Sequence, residues 1–173
     1  MTRLLPIVLA LAAWATATPR AFQDQAGQCP SGEPQPVLDA TSPRIHSHVF
    51  TITGPRTAEE SAVLEPDLTV HVSRAGCAHF SLLYSFDIAA PAPVTDSRAW
   101  LRIASGVMRR IAKAETAGFA SVLASALESQ ERAGAYRFRE AITITEGYAS
   151  AELDVVSGEQ GRATVRVSYQ VVL

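Results

Sequence analysis

Apolar residues recur at every second position in the first and last thirds of the chain and at every third or fourth position in the middle. Ile45 to Thr53 alternates and is rich in β-branched residues, which predicts a strand ending at the Gly54-Pro55 punctuation. Arg56 to Pro66, with its adjacent acids Glu59 and Glu60, reads as a polar loop. Leu68, Val70 and Val72 then share one face against Thr69, His71 and Ser73, and Phe80, Leu82, Tyr84 and Phe86 resume the alternation after Arg74-Ala-Gly-Cys-Ala78. Setting Val70 opposite Leu82 and Val72 opposite Phe80 puts the apolar residues of both strands on one face, with a five-residue loop containing Gly76.

Pro91 and Pro93 stop the sheet, and Asp96 is placed to cap a helix whose first turn is Ser97 to Trp100. At 100° per residue, Trp100, Ile103, Ala104, Val107 and Ile111 fall on one side and Arg98, Arg102, Arg109 and Lys113 on the other. A second helical stretch runs from about Gly118 to Arg132, with Phe119, Val122, Leu123, Ala126 and Leu127 inward and Gly134 as its stop. Thr116 to Gly118 either bends one long helix or divides two consecutive ones. Three strands follow: Tyr136 to Glu146, Tyr148 to Val156 and Arg162 to Leu173. In the last pair Val155 is set opposite Ala163, Leu153 opposite Val165 and Ala151 opposite Val167, with Glu152 facing Arg166 on the other side. The predicted fold is α+β, an antiparallel sheet of about six strands in the order β-ββ-α(α)-βββ, covered on one face by the helices.

The ends of the pattern carry different information. Residues 1–17 combine Arg3, an apolar run from Leu4 to Trp14 and the small residues Ala15 and Ala17, as a cleaved secretory signal does. Residues 18–44 hold Pro19, Pro30, Pro34, Pro36 and Pro43 with almost no apolar periodicity, which reads as an extended arm before a single domain at 45–173. Export predicts that Cys29 and Cys77 are joined as a disulfide rather than kept as thiols. Lys113 is the single lysine among 15 basic residues, which with the high Ala content resembles a GC-rich bacterial coding bias and, for an exported protein, predicts the periplasm. Across 173 residues, 47% hydrophobic and 18% charged composition excludes a disordered chain, and a net charge of −2 gives no basic excess for nucleic acid. No stretch after the signal approaches the ~18 consecutive apolar residues of a membrane span.

Candidate chemistry is sparse. His46 and His48 project from one strand face about 7 Å apart, a separation that two metal ligands can share. His71 and His79 lie on the polar face of the next hairpin, so a first strand paired beside that hairpin would gather four imidazoles for Zn²⁺ or Cu²⁺. Phe50 and Ile52 share the face of His46 and His48, which argues for a partly buried face instead. The Arg98, Arg102, Arg109, Lys113 stripe offers an anionic partner a surface, or is simply the solvated side of an amphipathic helix. No G-x-S-x-G, S-x-x-K, H-E-x-x-H or phosphate-binding loop is present, and no catalytic or cofactor-binding residue is assigned. Glu140 falls among Tyr136, Phe138, Ile142 and Ile144, either near the sheet end with water access or as a buried acid of raised pKa. These features predict a non-catalytic periplasmic protein that binds a macromolecular partner, as inhibitors and immunity proteins do. The alternatives are a carrier of an apolar ligand or lipid beneath Trp100 and Phe119, and a metal-binding protein using the histidines.

Overall fold

The computed structural model describes residues 32–65, 68–76, 79–90 and 92–172. The signal-like segment 1–17 and the Cys29–Cys77 pairing lie outside the described residues. The strands are β1 (Ser47–Gly54), β2 (Thr57–Glu65), β3 (Leu68–Gly76), β4 (His79–Ala89), β5 (Ile142–Thr145), β6 (Ala149–Ser157) and β7 (Arg162–Val172). Between β4 and β5 lie helices α1 (Ser97–Ala112) and α2 (Phe119–Ala133). The strands form one antiparallel sheet in the order β1-β2-β3-β4-β7-β6-β5, the expected α+β architecture with a seventh strand.

That extra strand is β2, which occupies the segment expected to be a polar loop. Its inward positions are Ala58, Glu60, Ala62 and Leu64, all buried, so an acid in the middle of the apolar face conceals the period. β2 therefore separates β1 from the β3–β4 hairpin. The hairpin itself pairs Val70 with Phe86 and Val72 with Tyr84, four residues from the predicted register, because β3 continues to Gly76 instead of turning at Arg74. In β6–β7, Val155 faces Val165, Leu153 faces Val167 and Asp154 faces Arg166, two residues from the predicted register. Both shifts are even, so no side chain changes face. The predicted strand from Tyr136 shrinks to β5, since Arg139 adopts φ 65 and turns the chain. The Tyr136 hydroxyl does a strand's work there, donating to Leu153 O at 3.0 Å and accepting from Leu153 N at 2.9 Å.

Asp96 caps α1 as expected, its Oδ1 accepting from Ala99 N at 3.0 Å. The chain forms two helices, with Gly118 at φ 81 before α2 and Gly134 at φ 78 after it. Trp100, Leu101, Ala104, Met108 and Ile111 of α1, with Leu123 and Leu127 of α2, pack on Leu82, Tyr84, Phe86, Leu153, Val165 and Val167 of the sheet. Val122, expected to face inward, is 40% exposed. The core also takes in Val37 and Leu38, so the segment read as an arm contributes to the folded domain. No helix among the described residues is long and apolar enough to cross a membrane.

Gly76 sits at φ +102, and a Cβ there would stand 1.6 Å from the His79 carbonyl oxygen. Gly76→Ala is expected to lower unfolding stability by ~3 kcal/mol, read as a lower urea midpoint with unchanged slope.

Candidate functional site

The most unusual side chain is Glu60, which the β2 alternation drives to the inner face and which is only 4% exposed. A buried carboxylate is tolerated only when its oxygens are fully bonded. Glu60 Oε2 accepts from Val37 N at 2.9 Å and Oε1 from Leu38 N at 3.0 Å, so two consecutive amides of the arm end on one acid. His48 Nε2, from β1, lies 2.6 Å from the same Oε1. The arm thereby crosses the inner face of β2 with its backbone held from below.

From above it is held by the break between the helices. Leu38 forms a β-bridge with Glu115, Asp39 N donates to Ala114 O at 2.8 Å and Thr116 N donates to Val37 O at 3.1 Å. The Glu115 carboxylate accepts a short hydrogen bond from the Tyr84 hydroxyl and one from Ala120 N at 2.7 Å, closing the first turn of α2. Burial raises the Glu115 carboxyl above the usual glutamate value; the bonds from Tyr84 and Ala120 oppose that rise and the negative charge of Glu60 adds to it. Burial, then the charge of Glu115, pushes the Tyr84 phenol well up, so it stays a neutral donor. Two acids, a histidine and a tyrosine thus meet around Val37 and Leu38.

These residue types suit proton transfer, but each is tied to another group: Glu60 to the two arm amides and His48, and Glu115 to Tyr84 and Ala120 N. Sequence inspection names Glu60 only as one of two adjacent acids in a polar loop and Tyr84 only as an inward position of its strand, and it passes over Glu115. The readable signal is the run Ala58-x-Glu60-x-Ala62-x-Leu64, an acid at the centre of an otherwise apolar strand face.

The four histidines are not brought together. His48 faces the arm, whereas His71 is paired with Ser85 and exposed on the opposite face, with β2 between it and β1. His79 starts β4, six positions from Ser85 and about 20 Å along the strand. His46 is exposed, and among the described residues no group of three His, Cys, Asp or Glu is placed to hold a metal ion. The basic stripe is divided: Arg102 Nη2 lies 2.6 Å from Glu131 and Arg109 makes a two-pronged pair with Glu128, both acids on α2, while Arg98 and Lys113 are exposed. Trp100 is fully buried with Nε1 donating to Pro93 O at 3.0 Å, and the Phe119 ring lies 5.5 Å from both Phe80 and Tyr169. Glu140 is exposed and accepts from Arg137 N at 3.2 Å, the water-accessible alternative. A separate open groove of about 430 Å³ runs between α2 and β5 beside Ser121, Ser125 and Thr143.

Comparison with known proteins returns no similarity: no family model matches the chain, no curated protein matches its sequence and no solved structure matches its fold.

Glu60→Ala leaves two buried amides without an acceptor and is expected to cost ~3 kcal/mol, with Glu60→Gln losing less. Hydrogen exchange reads the effect directly, as faster exchange at Val37 and Leu38. Glu115 has a raised folded-state pKa, so its contribution to stability is full below the unfolded value and is lost as pH rises through the folded one. Thermal melts across this window should show wild type gaining on Glu115→Gln as the pH falls; a constant difference contradicts this.

Proposed function

We propose that the protein is exported to the bacterial periplasm and acts there as a non-catalytic binding protein, holding a macromolecular partner of the kind met by inhibitors and immunity proteins. One observation carries the reading: the helices and Val37 and Leu38 of the arm stack on the same face, and among the described residues nothing covers the other face of the seven strands. Six inter-strand spacings give that face a width of about 29 Å. Ser61, Ser73, Ser81, Ser85, Ser150 and Ser168 share it with Leu83, a field of short side chains over a rigid backbone.

Such a surface suits a flat, extended contact better than a small ligand, which is bound in a concave pocket. Several of its charges are engaged: Thr164 Oγ1 donates to Asp87 at 2.5 Å, Ser73 Oγ to Glu59 at 2.7 Å, and Arg139 pairs with Asp154 at 3.1 Å, while Arg166 and Glu152 stand on the same face. The hydrogen bonds that tie Glu60 to the arm and to His48, and Glu115 to Tyr84, support the non-catalytic half of the proposal.

Immobilised protein challenged with periplasmic extract is expected to retain a defined macromolecule. Ser81→Arg/Ser85→Arg, which raises two long side chains at the centre of the open face, should reduce retention ~10-fold or more without lowering the melting temperature. Retention of nothing, or equal retention by the variant, overturns the proposal.

A further inference from the structure

The open face ends at β1, the outermost strand, whose far side has no neighbour among the described residues. Edge strands are ordinarily blunted by charge, proline, a bulge or shortness. β5, at the other edge, is blunted by shortness, with four residues and a register shift between Thr143 and Thr145. β1 has eight residues, and Ser47 to Thr53 contains no Asp, Glu, Lys, Arg or Pro. Its register with β2 is regular until Ile52, where the irregularity is confined to the Gly54 end. Val49 is 60% exposed on the open face and Ile52 48% exposed on the helix side, so both faces of this strand present apolar surface at the edge.

We propose that β1 pairs antiparallel with β1 of a second copy of this chain, joining the two sheets into one. The segment is self-complementary about Phe50: Phe50 meets Phe50 of the copy, Val49 meets Thr51, His48 meets Ile52 and Ser47 meets Thr53. No charge faces a charge in that register: Val49 meets Thr51 and Ser47 meets Thr53 on one face, and Phe50 meets Phe50 and Ile52 meets the His48 imidazole on the other. The pairing is isologous and closes on a two-fold axis, whereas β1 against β5 of another copy is head-to-tail and leaves an open edge at each end. Among the described residues neither the helices nor the arm cover Ile52, which leaves room for the second copy's β1. Ile52 of the copy then lies beside His48, over the imidazole that holds Glu60.

Analytical ultracentrifugation of protein purified after expression of the full 173-residue chain tests this. A concentration-dependent monomer–dimer equilibrium is expected. Val49→Lys and Thr51→Lys, both on exposed positions, should each weaken association ~100-fold with unchanged circular dichroism and melting. Val122→Lys, on the exposed side of α2, should leave it intact. A monomer at every concentration, a dimer indifferent to both β1 lysines, or a monomeric chain that captures an extended peptide of another protein at β1 overturns the proposal.

Discussion

A single carboxylate organises this protein. Glu60 is carried inward by strand geometry, and a charge removed from water costs several kcal/mol unless the surroundings replace the lost hydration. Here the replacement comes from chain segments distant in sequence: two amides of the arm, 23 and 22 residues away, and an imidazole 12 residues away on the edge strand. The requirement runs in both directions. The carboxylate needs those donors to remain buried, and the arm needs the carboxylate because its backbone has no complete strand partner where it crosses the sheet.

The same segment explains why the helical region is divided. Between Ala114 and Thr116 the chain exchanges main-chain hydrogen bonds with Val37 and Asp39, and a continuous helix would have committed those groups to its own turns. Glu115 sits at this junction under opposing demands. Its bonds with Tyr84 and Ala120 favour the charged form, while burial and the nearby Glu60 disfavour it, and burial prevails. The arm is therefore enclosed by two acids of different character, one fully buried and multiply bonded, the other half-buried with its carboxyl held above the usual glutamate value.

Much of the fold was legible. Asp96, the two glycine stops around α2 and the amphipathic side of α1 follow local rules that tertiary structure respects, and the last hairpin was found with its faces correct. The register of each hairpin escaped because Val, Leu and Phe repeated at every second position pack almost equally well two or four residues along, so hydrophobic pattern selects the face and leaves the offset to the turn. β2 was hidden by Glu60, since an acid at an inward position counts against a strand unless its donors are known, and those donors lie in other elements. The site was illegible for the same reason: Glu60, Glu115, Tyr84 and His48 have no shared spacing and are assembled by topology alone. The histidines failed in the opposite sense, as proximity in sequence was undone when β2 came between β1 and β3.

The strand order has a consequence for how the molecule is made. β4 lies next to β7 over eleven residue pairs, so the centre of the sheet is formed by strands on either side of the whole helical segment. Until β7 emerges, the four N-terminal strands have an unsatisfied inner edge at β4, and β5 and β6 lack the strand that joins them to the rest of the sheet. Such a non-local central pairing carries a large loop-closure cost and forms late. The centre of the sheet thus closes later than that of a meander of the same size would.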